Sequence, residues 1–178
     1  SAILDSLRKI QGSELKKADE VIGSGKTIKS DGVTLNYSGR NSAGVEHDWM
    51  FDYRTNLVNH EGVRGVAYED LSGRKDKGGN NIRTVGVGVS SHNPHFPKEV
   101  GPNGRVPDHA IQRSFLDASN DAAEAGARTA RDVGVFNKAG FMLMSELAYQ
   151  SGAAFLTQKN STGERYVEFV NALRSGDV

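Results

Sequence analysis

The segment HEGVRGVAYEDLSG, residues 60–73, contains two acidic residues at positions where a fold alone has little use for a charge. Glu61 ends a helical pattern just before a glycine, and Asp70 follows nine positions later, where a short strand-like run meets a turn. The negative end of a helix dipole disfavours an ionised carboxylate, so the pKa of Glu61 is expected to be raised. The segment therefore predicts two carboxyl groups in different protonation states.

The residues after Asp70 predict a hairpin whose second strand returns beside it. VAYE and IRTVGVGV have strand-like compositions and are joined by the Lys- and Gly-rich loop LSGRKDKGGNN. The return strand would place Thr84 near Asp70, and its alternating glycines indicate a strand that another surface approaches closely. One protonated carboxyl, one ionised carboxyl and one hydroxyl in a common cleft suit hydrolysis of a glycosidic bond with inversion.

Helical periodicity dominates most of the remaining chain. EHDWMFDYRTNLVNHEG predicts a helix with one apolar face and with Gly62 in the left-handed position after its end; the face is formed by Trp49, Tyr53, Leu57 and Val58. Further helices are predicted over 3–22, 108–131, 136–150 and 163–174. The Asp31-Gly32 pair between KTIK and VTLNY predicts a second hairpin. We expect residues 1–45 to be an N-terminal extension or linker and residues 46–178 to be the catalytic domain.

Composition excludes several classes of function. The 178 residues suffice for one domain, with 22 basic and 22 acidic side chains and no cysteine. This balance gives no support to a nucleic-acid groove, and the lack of cysteine excludes disulfides and thiol nucleophiles. No apolar run approaches the ~18 residues of a membrane span. The first residues, SAILDSLRKIQG, are too charged for a signal peptide.

Three short motifs suggest other sites but are weak. GSGKT at 23–27 lacks the earlier glycine and the preceding strand of a phosphate loop, so a flexible loop is expected there. HNPH at 92–95 has two histidines but no definable third metal ligand. TVGVGV at 84–89 lacks the third glycine and the helix of a dinucleotide-binding turn. Neither a metal nor a cofactor is predicted.

The order Glu61, GVRGVAYED and TVGVG resembles the catalytic segment of phage-type lysozymes, the T-even-phage endolysin family of muramidases. In that family a Glu ends the first helix, G-x-x-x-x-x-Y-x-D follows, and a hairpin strand reads T-x-G-x-G. LAYQSG at 147–152 is similar to the family's aromatic-Gln-x-Gly at the end of a buried helix, and VPDHAIQRSFLDASNDAA more loosely resembles the helix that joins the two lobes. The resemblance covers residues 50–178.

The resemblance implies an α+β, lysozyme-like fold in which a small β-hairpin lobe packs against a mainly helical lobe. It implies that Glu61 is the general acid, that Asp70 positions or activates water, and that Thr84 holds this water. Tyr149 and Gln150 would bind substrate. The substrate would be peptidoglycan, cleaved between N-acetylmuramic acid and N-acetylglucosamine, without nucleic acid, membrane insertion, metal or cofactor.

Several departures from the family bear on the biology. The loop between Asp70 and Thr84 is longer than usual, Val89 replaces a common histidine, and Glu146 replaces a common asparagine. The chain also ends soon after YQSG, as an abbreviated lobe or a piece of a longer polypeptide would. We expect an endolysin or a virion-associated phage protein, located in the host cytoplasm before lysis or in the virion, and acting on the periplasmic wall.

Two alternatives to a muramidase remain open. One is a lytic transglycosylase, in which a single acidic residue suffices; the other is a non-catalytic glycan-binding or structural virion module. In either setting, other phage particle proteins are candidate partners of residues 1–45.

Overall fold

The computed structural model describes residues 25–152, so the helices predicted over 3–22 and 163–174 lie outside the described residues. The described part has an α+β fold with two small sheets and three α-helices, as the sequence predicts. The elements are β1 Lys26–Ser30, β2 Val33–Tyr37, α1 Asp48–Glu61, β3 Arg64–Glu69, β4 Arg83–Gly86, β5 Val89–Ser90, α2 Asp108–Asp132 and α3 Lys138–Ser151. None of these three helices is both long enough and apolar enough to cross a membrane.

Contacts along the chain define two compact units, which are described separately. Among the described residues, unit 1 comprises 39–53 and 119–152, and unit 2 comprises 25–38 and 54–118. Both sheets belong to unit 2, and the described part of unit 1 is mainly helical. Helices α1 and α2 contribute residues to each unit.

The first hairpin, β1–β2, confirms the turn predicted at Asp31-Gly32. Both turn residues have positive φ, 51° and 72°, as a two-residue hairpin loop with right-handed strand twist requires. The first strand begins at Lys26, so the flexible loop expected over 23–27 gives way to regular structure there. Strand β2 alternates between buried and more exposed residues, and its buried face consists of Val33, Leu35 and Tyr37.

This hairpin is part of the core of unit 2. The Thr34 N–H donates to Asp108 Oδ2 (3.0 Å) and the Asn36 N–H to Gln112 Oε1 (3.0 Å), so β2 is fixed to the first turns of α2. The Tyr37 ring meets the Phe115 ring edge-on at 5.9 Å. The boundary proposed at residue 45 stays a prediction, but the hairpin packs as a core element, because every second side chain of β2 is apolar and buried.

Helix α1 has the apolar face that the sequence predicts. Trp49, Tyr53, Leu57 and Val58 are all buried. The helix ends at Glu61, and Gly62 follows with φ of 70°, its N–H donating to the Val58 carbonyl oxygen at 2.9 Å. A left-handed residue at this position satisfies a free carbonyl group at the helix end. The end of α1, and thus the position of Glu61, is therefore fixed by Gly62.

The second sheet confirms the predicted return strand and corrects its length. Strand β4 lies antiparallel to β3, with Thr84 opposite Tyr68. The strand expected to continue through TVGVGV instead stops at Gly86, turns, and resumes as β5 at Val89. The reason is conformational: Gly86 and Gly88 have φ of 64° and 65°, values that interrupt a strand.

The two later helices agree with the predictions 108–131 and 136–150 to within two residues at each end. Helix α3 starts at an N-cap, Asn137, whose side chain accepts a hydrogen bond from the Gly140 N–H (2.7 Å). In unit 1, α2 and α3 approach closely at Gly126, where an added Cβ would lie 2.5 Å from the Ser145 backbone nitrogen. A side chain at position 126 would therefore force the two helices apart.

Candidate active site

Glu61 is a partly exposed carboxyl at the last residue of α1. Within residues 25–152 no group donates a hydrogen bond to its carboxylate or pairs with it as an ion. Burial raises the pKa of Glu61 above its ordinary value, and the neighbouring His60 opposes this effect only in part. The C-terminal end of the helix dipole acts in the same direction as burial. The environment thus shifts Glu61 toward its protonated form, which is the direction that the sequence predicts.

The turn between β4 and β5 packs directly on this carboxyl. A Cβ added to Gly88 would lie 2.5 Å from Glu61 Oε2 and 2.8 Å from its carboxyl carbon. A glycine is therefore needed at position 88 both for its φ of 65° and for the space that Glu61 occupies. The close approach expected of the Gly-Val alternation is confirmed here, and its partner is the predicted general acid.

Asp70 lies just beyond β3 in a different environment. Its carboxylate accepts hydrogen bonds from the Ser72 N–H (2.9 Å), the Ser72 hydroxyl (2.8 Å) and the Arg74 guanidinium (3.1 Å). The pKa of Asp70 is lowered, first by the Ser72 backbone N–H, then by the Ser72 hydroxyl and by Arg74. The Asp70 N–H donates to the Ile82 carbonyl oxygen (2.7 Å), which ties this turn to the start of the return strand.

Thr84 lies on β4, which is the central strand between β3 and β5. It pairs with Tyr68 on β3 and with Ser90 on β5, and directly opposite residues of antiparallel strands project from the same face of a sheet. Its side chain is partly exposed, and none of the residues in 25–152 hydrogen-bonds its hydroxyl. Tyr68 is 46% exposed and carries the Arg64 guanidinium 5.5 Å from its ring centroid. An open hydroxyl beside an exposed aromatic ring can hold water or contact a sugar.

One small sheet connects the three predicted catalytic residues in unit 2. Asp70 follows β3 two residues beyond Tyr68, Thr84 pairs with Tyr68, and the turn four residues beyond Thr84 contacts Glu61. The carboxyl groups have pKa values shifted in opposite directions. The hydrogen bonds that Ser72 and Arg74 donate to the Asp70 carboxylate were not predicted from the sequence. Asp-x-Ser is a turn signal that could have indicated those from Ser72. The catalytic roles stay predictions.

The long loop between Asp70 and Thr84 has its own internal structure. Asp76 Oδ1 accepts hydrogen bonds from the Gly78 and Asn80 N–H groups, both at 2.9 Å. Lys75 and Asn81 form an isolated bridge and a side-chain contact. The loop exposes the Leu71 side chain completely.

The predicted substrate-binding residues lie in the last turn of α3, in unit 1. Tyr149 is partly exposed and Gln150 is exposed, while Met144 and Ala148 are buried. Glu146, which replaces the family's asparagine, has one buried carboxylate oxygen without a hydrogen-bond partner among the described residues. The roles of Tyr149 and Gln150 stay predictions.

The sequence missed a pocket of about 430 Å³ in unit 1. It is lined by Asn41, His47, Trp49, Met50, Asn120, Ala123, Glu124, Ala127, Arg128, Arg131 and Phe141. These residues come from three separated segments, so no single motif reports them. The helical spacing of residues 120 to 131 was the available signal, because it places the α2 contributors on one face.

Within residues 25–152 no cluster of three or more histidine, aspartate, glutamate or cysteine side chains has the geometry of a metal site. His95 lies 4.0 Å from Asp117, and His109 lies 3.8 Å from Glu99. The first contact comes from the loop that contains His95, and the second comes from the first turn of α2.

Comparison with known proteins yields one informative similarity. The chain is 28% identical over 160 residues to a protein named Peptidoglycan hydrolase gp36 from Pseudomonas phage phiKMV. The aligned region is 89% of this chain but only 15% of that protein, so the chain spans a small part of its relative's length. No protein-family profile matches the chain. No solved structure matches it.

Proposed function

We propose that this chain is a cell-wall-degrading domain of a phage protein, and that it hydrolyses peptidoglycan as a muramidase with a lysozyme-like fold. Similarity to a phage protein named as a peptidoglycan hydrolase, over 89% of the chain, supports the substrate class. The phage-lysozyme pattern of Glu61, Asp70 and Thr84 supports the choice of the glycosidic bond between N-acetylmuramic acid and N-acetylglucosamine. The domain acts on the wall either as an endolysin or from the virion.

The observation that carries the proposal is the contrast between the two carboxyl groups. Burial raises the pKa of Glu61, whereas hydrogen bonds lower the pKa of Asp70. Paired carboxyls whose environments shift their pKa values apart are the usual basis of acid and base assignments in glycosidases. The proposed site therefore pairs a carboxyl group whose pKa is raised with one whose pKa is lowered, which is the order that a proton donor and an anion require.

In the proposed reaction, the protonated Glu61 gives its proton to the glycosidic oxygen as the bond to the anomeric carbon breaks. A water held by Thr84 and oriented by Asp70 attacks that carbon from the opposite face. The carboxylate of Asp70 takes one proton from the water, and Glu61 is left ionised. Proton exchange with solvent restores both groups. One bond is hydrolysed per cycle, and both sugars leave with free hydroxyl groups.

The hydrogen bonds that Ser72 and Arg74 donate to Asp70 favour a second candidate function, that of a lytic transglycosylase. A carboxylate held by Ser72 and Arg74 with a lowered pKa is a weak base, and efficient general bases have pKa values near the working pH. A transglycosylase needs only Glu61, and the substrate's own hydroxyl replaces water as the nucleophile. The products decide: a reducing muramic acid end indicates hydrolysis, and a 1,6-anhydro end indicates transglycosylation.

The central test compares wild type with Glu61→Gln on isolated sacculi. The amide cannot donate the required proton, so we expect activity to fall by about 10²- to 10⁴-fold, the usual contribution of general acid catalysis. Glu99→Gln is the matched control, because this exposed carboxyl lies elsewhere in unit 2 and should leave clearing unchanged. Equal clearing by Glu61→Gln and wild type would assign any activity to other residues.

A separate experiment tests whether the domain belongs to a virion-associated protein or to a free endolysin. We propose that a virion-associated protein carries it and that residues 1–45 contact other particle proteins. Mass spectrometry of purified virions should detect peptides from this chain. Its presence only in late lysates, with none in virions, would identify it as a free endolysin instead.

A further inference from the structure

The lining of the pocket in unit 1 has a polar and an apolar part. Its helical wall is a stripe of α2, in which Ala123 and Ala127 leave room that larger side chains would fill. The lining also contains Trp49, whose ring lies 5.4 Å from that of Phe141. A volume of about 430 Å³ falls within the range of roughly 300–1,000 Å³ that small-molecule sites occupy.

The polar side has an excess of positive charge. Arg128 and Arg131 are exposed and, within residues 25–152, neither forms a salt bridge. Glu124 is the acidic group in the lining, and it already accepts hydrogen bonds from the Asn120 amide (3.2 Å) and the Ser42 hydroxyl (3.4 Å). Two guanidinium groups against one engaged carboxylate leave this side complementary to an anion.

His47 contributes a mostly neutral ring to the same pocket. Burial lowers its pKa, and Arg131 adds to this effect while Glu46 opposes it. Its Nε2 lies 3.5 Å from the Asn41 amide nitrogen, and its ring lies 6.2 Å from that of Trp49. The pocket thus combines aromatic and aliphatic surface, amide and imidazole hydrogen-bonding groups, and two guanidinium groups that form no salt bridge within residues 25–152.

We propose that the unit 1 pocket binds a small ligand that carries a carboxylate next to short aliphatic groups, and that this ligand is the peptide arm of peptidoglycan. The identity of the ligand rests on the proposed function, whereas its chemistry follows from the lining. Guanidinium groups pair with carboxylates through two parallel hydrogen bonds, and the alanine methyl groups of a short peptide suit the surface formed by Trp49, Met50 and Phe141.

An uncharged sugar ring fits this lining less well. A sugar offers hydroxyl and acetamido groups but no anion, so it gains nothing from the charge of Arg128 and Arg131. An inorganic anion such as phosphate would pair with the guanidinium groups but would leave the aromatic and aliphatic wall uncovered. The carboxylate-terminated peptide uses both sides of the pocket.

Binding of muramyl dipeptide to the full chain tests the proposal directly. This probe has a short peptide with one free carboxylate but no glycosidic bond to cleave, so its binding is independent of catalysis by Glu61. Isothermal titration calorimetry should show binding to wild type, weaker binding of the probe when its free carboxylate is amidated, and no competition by equimolar inorganic phosphate.

The variants assign any binding to the pocket. Arg131→Gln should weaken muramyl dipeptide binding by about 10- to 100-fold, the range expected when a charge-assisted hydrogen bond is lost. Arg113→Gln is the matched control, because it removes an exposed arginine of α2 that does not line the pocket. Ala127→Met should also abolish binding by filling the space, with unchanged circular dichroism showing that the fold is intact.

Three results would overturn the proposal. The first is the absence of muramyl dipeptide binding at millimolar concentration, and the second is equal weakening by Arg131→Gln and Arg113→Gln. The third is competition by equimolar inorganic phosphate, which would reduce the site to a general anion site. If Glu61→Gln retained full clearing while the peptide still bound, the proposed catalytic function would fail and the pocket would stand.

Discussion

Glu61 and Asp70 carry the same chemical group, nine residues apart, in opposite environments. Glu61 sits at a helix end against the Gly88 turn, where burial and the helix dipole act against its ionised form. Asp70 sits in a turn where Ser72 and Arg74 supply three hydrogen bonds to the ionised form. The difference shows that the surroundings of each carboxyl group set the direction of its pKa shift.

Removing the charge of Asp70 is the strongest test of this comparison after the loss of Glu61. If Asp70 activates water, Asp70→Asn should lower hydrolysis of sacculi by about 10²- to 10⁴-fold, since an amide cannot take the proton. Asp76→Asn is the control, because that carboxylate caps the neighbouring loop. Full activity of Asp70→Asn, together with 1,6-anhydro products, would establish the transglycosylase.

Gly88→Ala tests the environment of Glu61 without changing either carboxyl group. The new Cβ needs the space of the Glu61 carboxylate, so we expect activity to fall about tenfold or more, as it does when a catalytic group is misplaced by about 1 Å. The left-handed φ adds a loss of about 1–2 kcal/mol in the free energy of unfolding.

Gly79→Ala separates these two effects of Gly88→Ala. Gly79 also has positive φ, 80°, but an added Cβ there has no atom within 4 Å. Chemical denaturation should therefore show a loss of stability in both variants, while clearing assays should show the loss of activity in Gly88→Ala alone. Similar activity losses in both would refute the contact with Glu61 as the cause.

Arg74→Gln should have the smallest effect. The variant removes one of the groups that lower the pKa of Asp70, while the larger influence of the Ser72 backbone N–H remains. The acid limb of the pH–activity profile should move to slightly higher pH, since Asp70 would then take up its proton earlier as the pH falls. A shift in the alkaline limb instead would mean that Arg74 acts on the proton donor.

Local patterns predicted most of the secondary structure. The Asp31-Gly32 turn, the buried face of α1 and its stop at Gly62 depend on neighbouring residues, which is why the sequence contained them. The helix end and the return strand were sufficient to place Glu61, Asp70 and Thr84 on adjoining elements.

Two kinds of feature were not predicted from the sequence. One is a backbone conformation that the same residues could replace with another, and the other is a contact between distant residues. The break between β4 and β5 follows from the conformations of Gly86 and Gly88, and the same letters also fit a continuous strand. The first hairpin joins the core through Asp108, 74 residues from its partner Thr34. The unit 1 pocket likewise needs residues from three segments, which only the folded chain brings together.

The opposite pKa shifts of Glu61 and Asp70 also make the stability of the fold depend on pH. Between the ordinary pKa of Glu61 and its raised folded value, the folded chain binds more protons than the unfolded chain, so this group's contribution falls as pH rises. For Asp70 the folded pKa is lowered, so its stabilisation is present above the ordinary pKa and is lost as pH falls through the folded value. The stabilising contribution of Asp70 is therefore lost at the lower pH values, and that of Glu61 is lost at the higher ones.

Carboxyl ¹³C titration by nuclear magnetic resonance, with signals assigned through Glu61→Gln and Asp70→Asn, is the most direct measurement of this contrast. We expect Glu61 to titrate at a higher pH than ordinary glutamates and Asp70 at a lower pH than ordinary aspartates, so that at pH values between the two pKa values Glu61 is protonated and Asp70 is ionised. Ordinary pKa values for both, or a reversed order, would contradict the division of the two carboxyls into proton donor and anion.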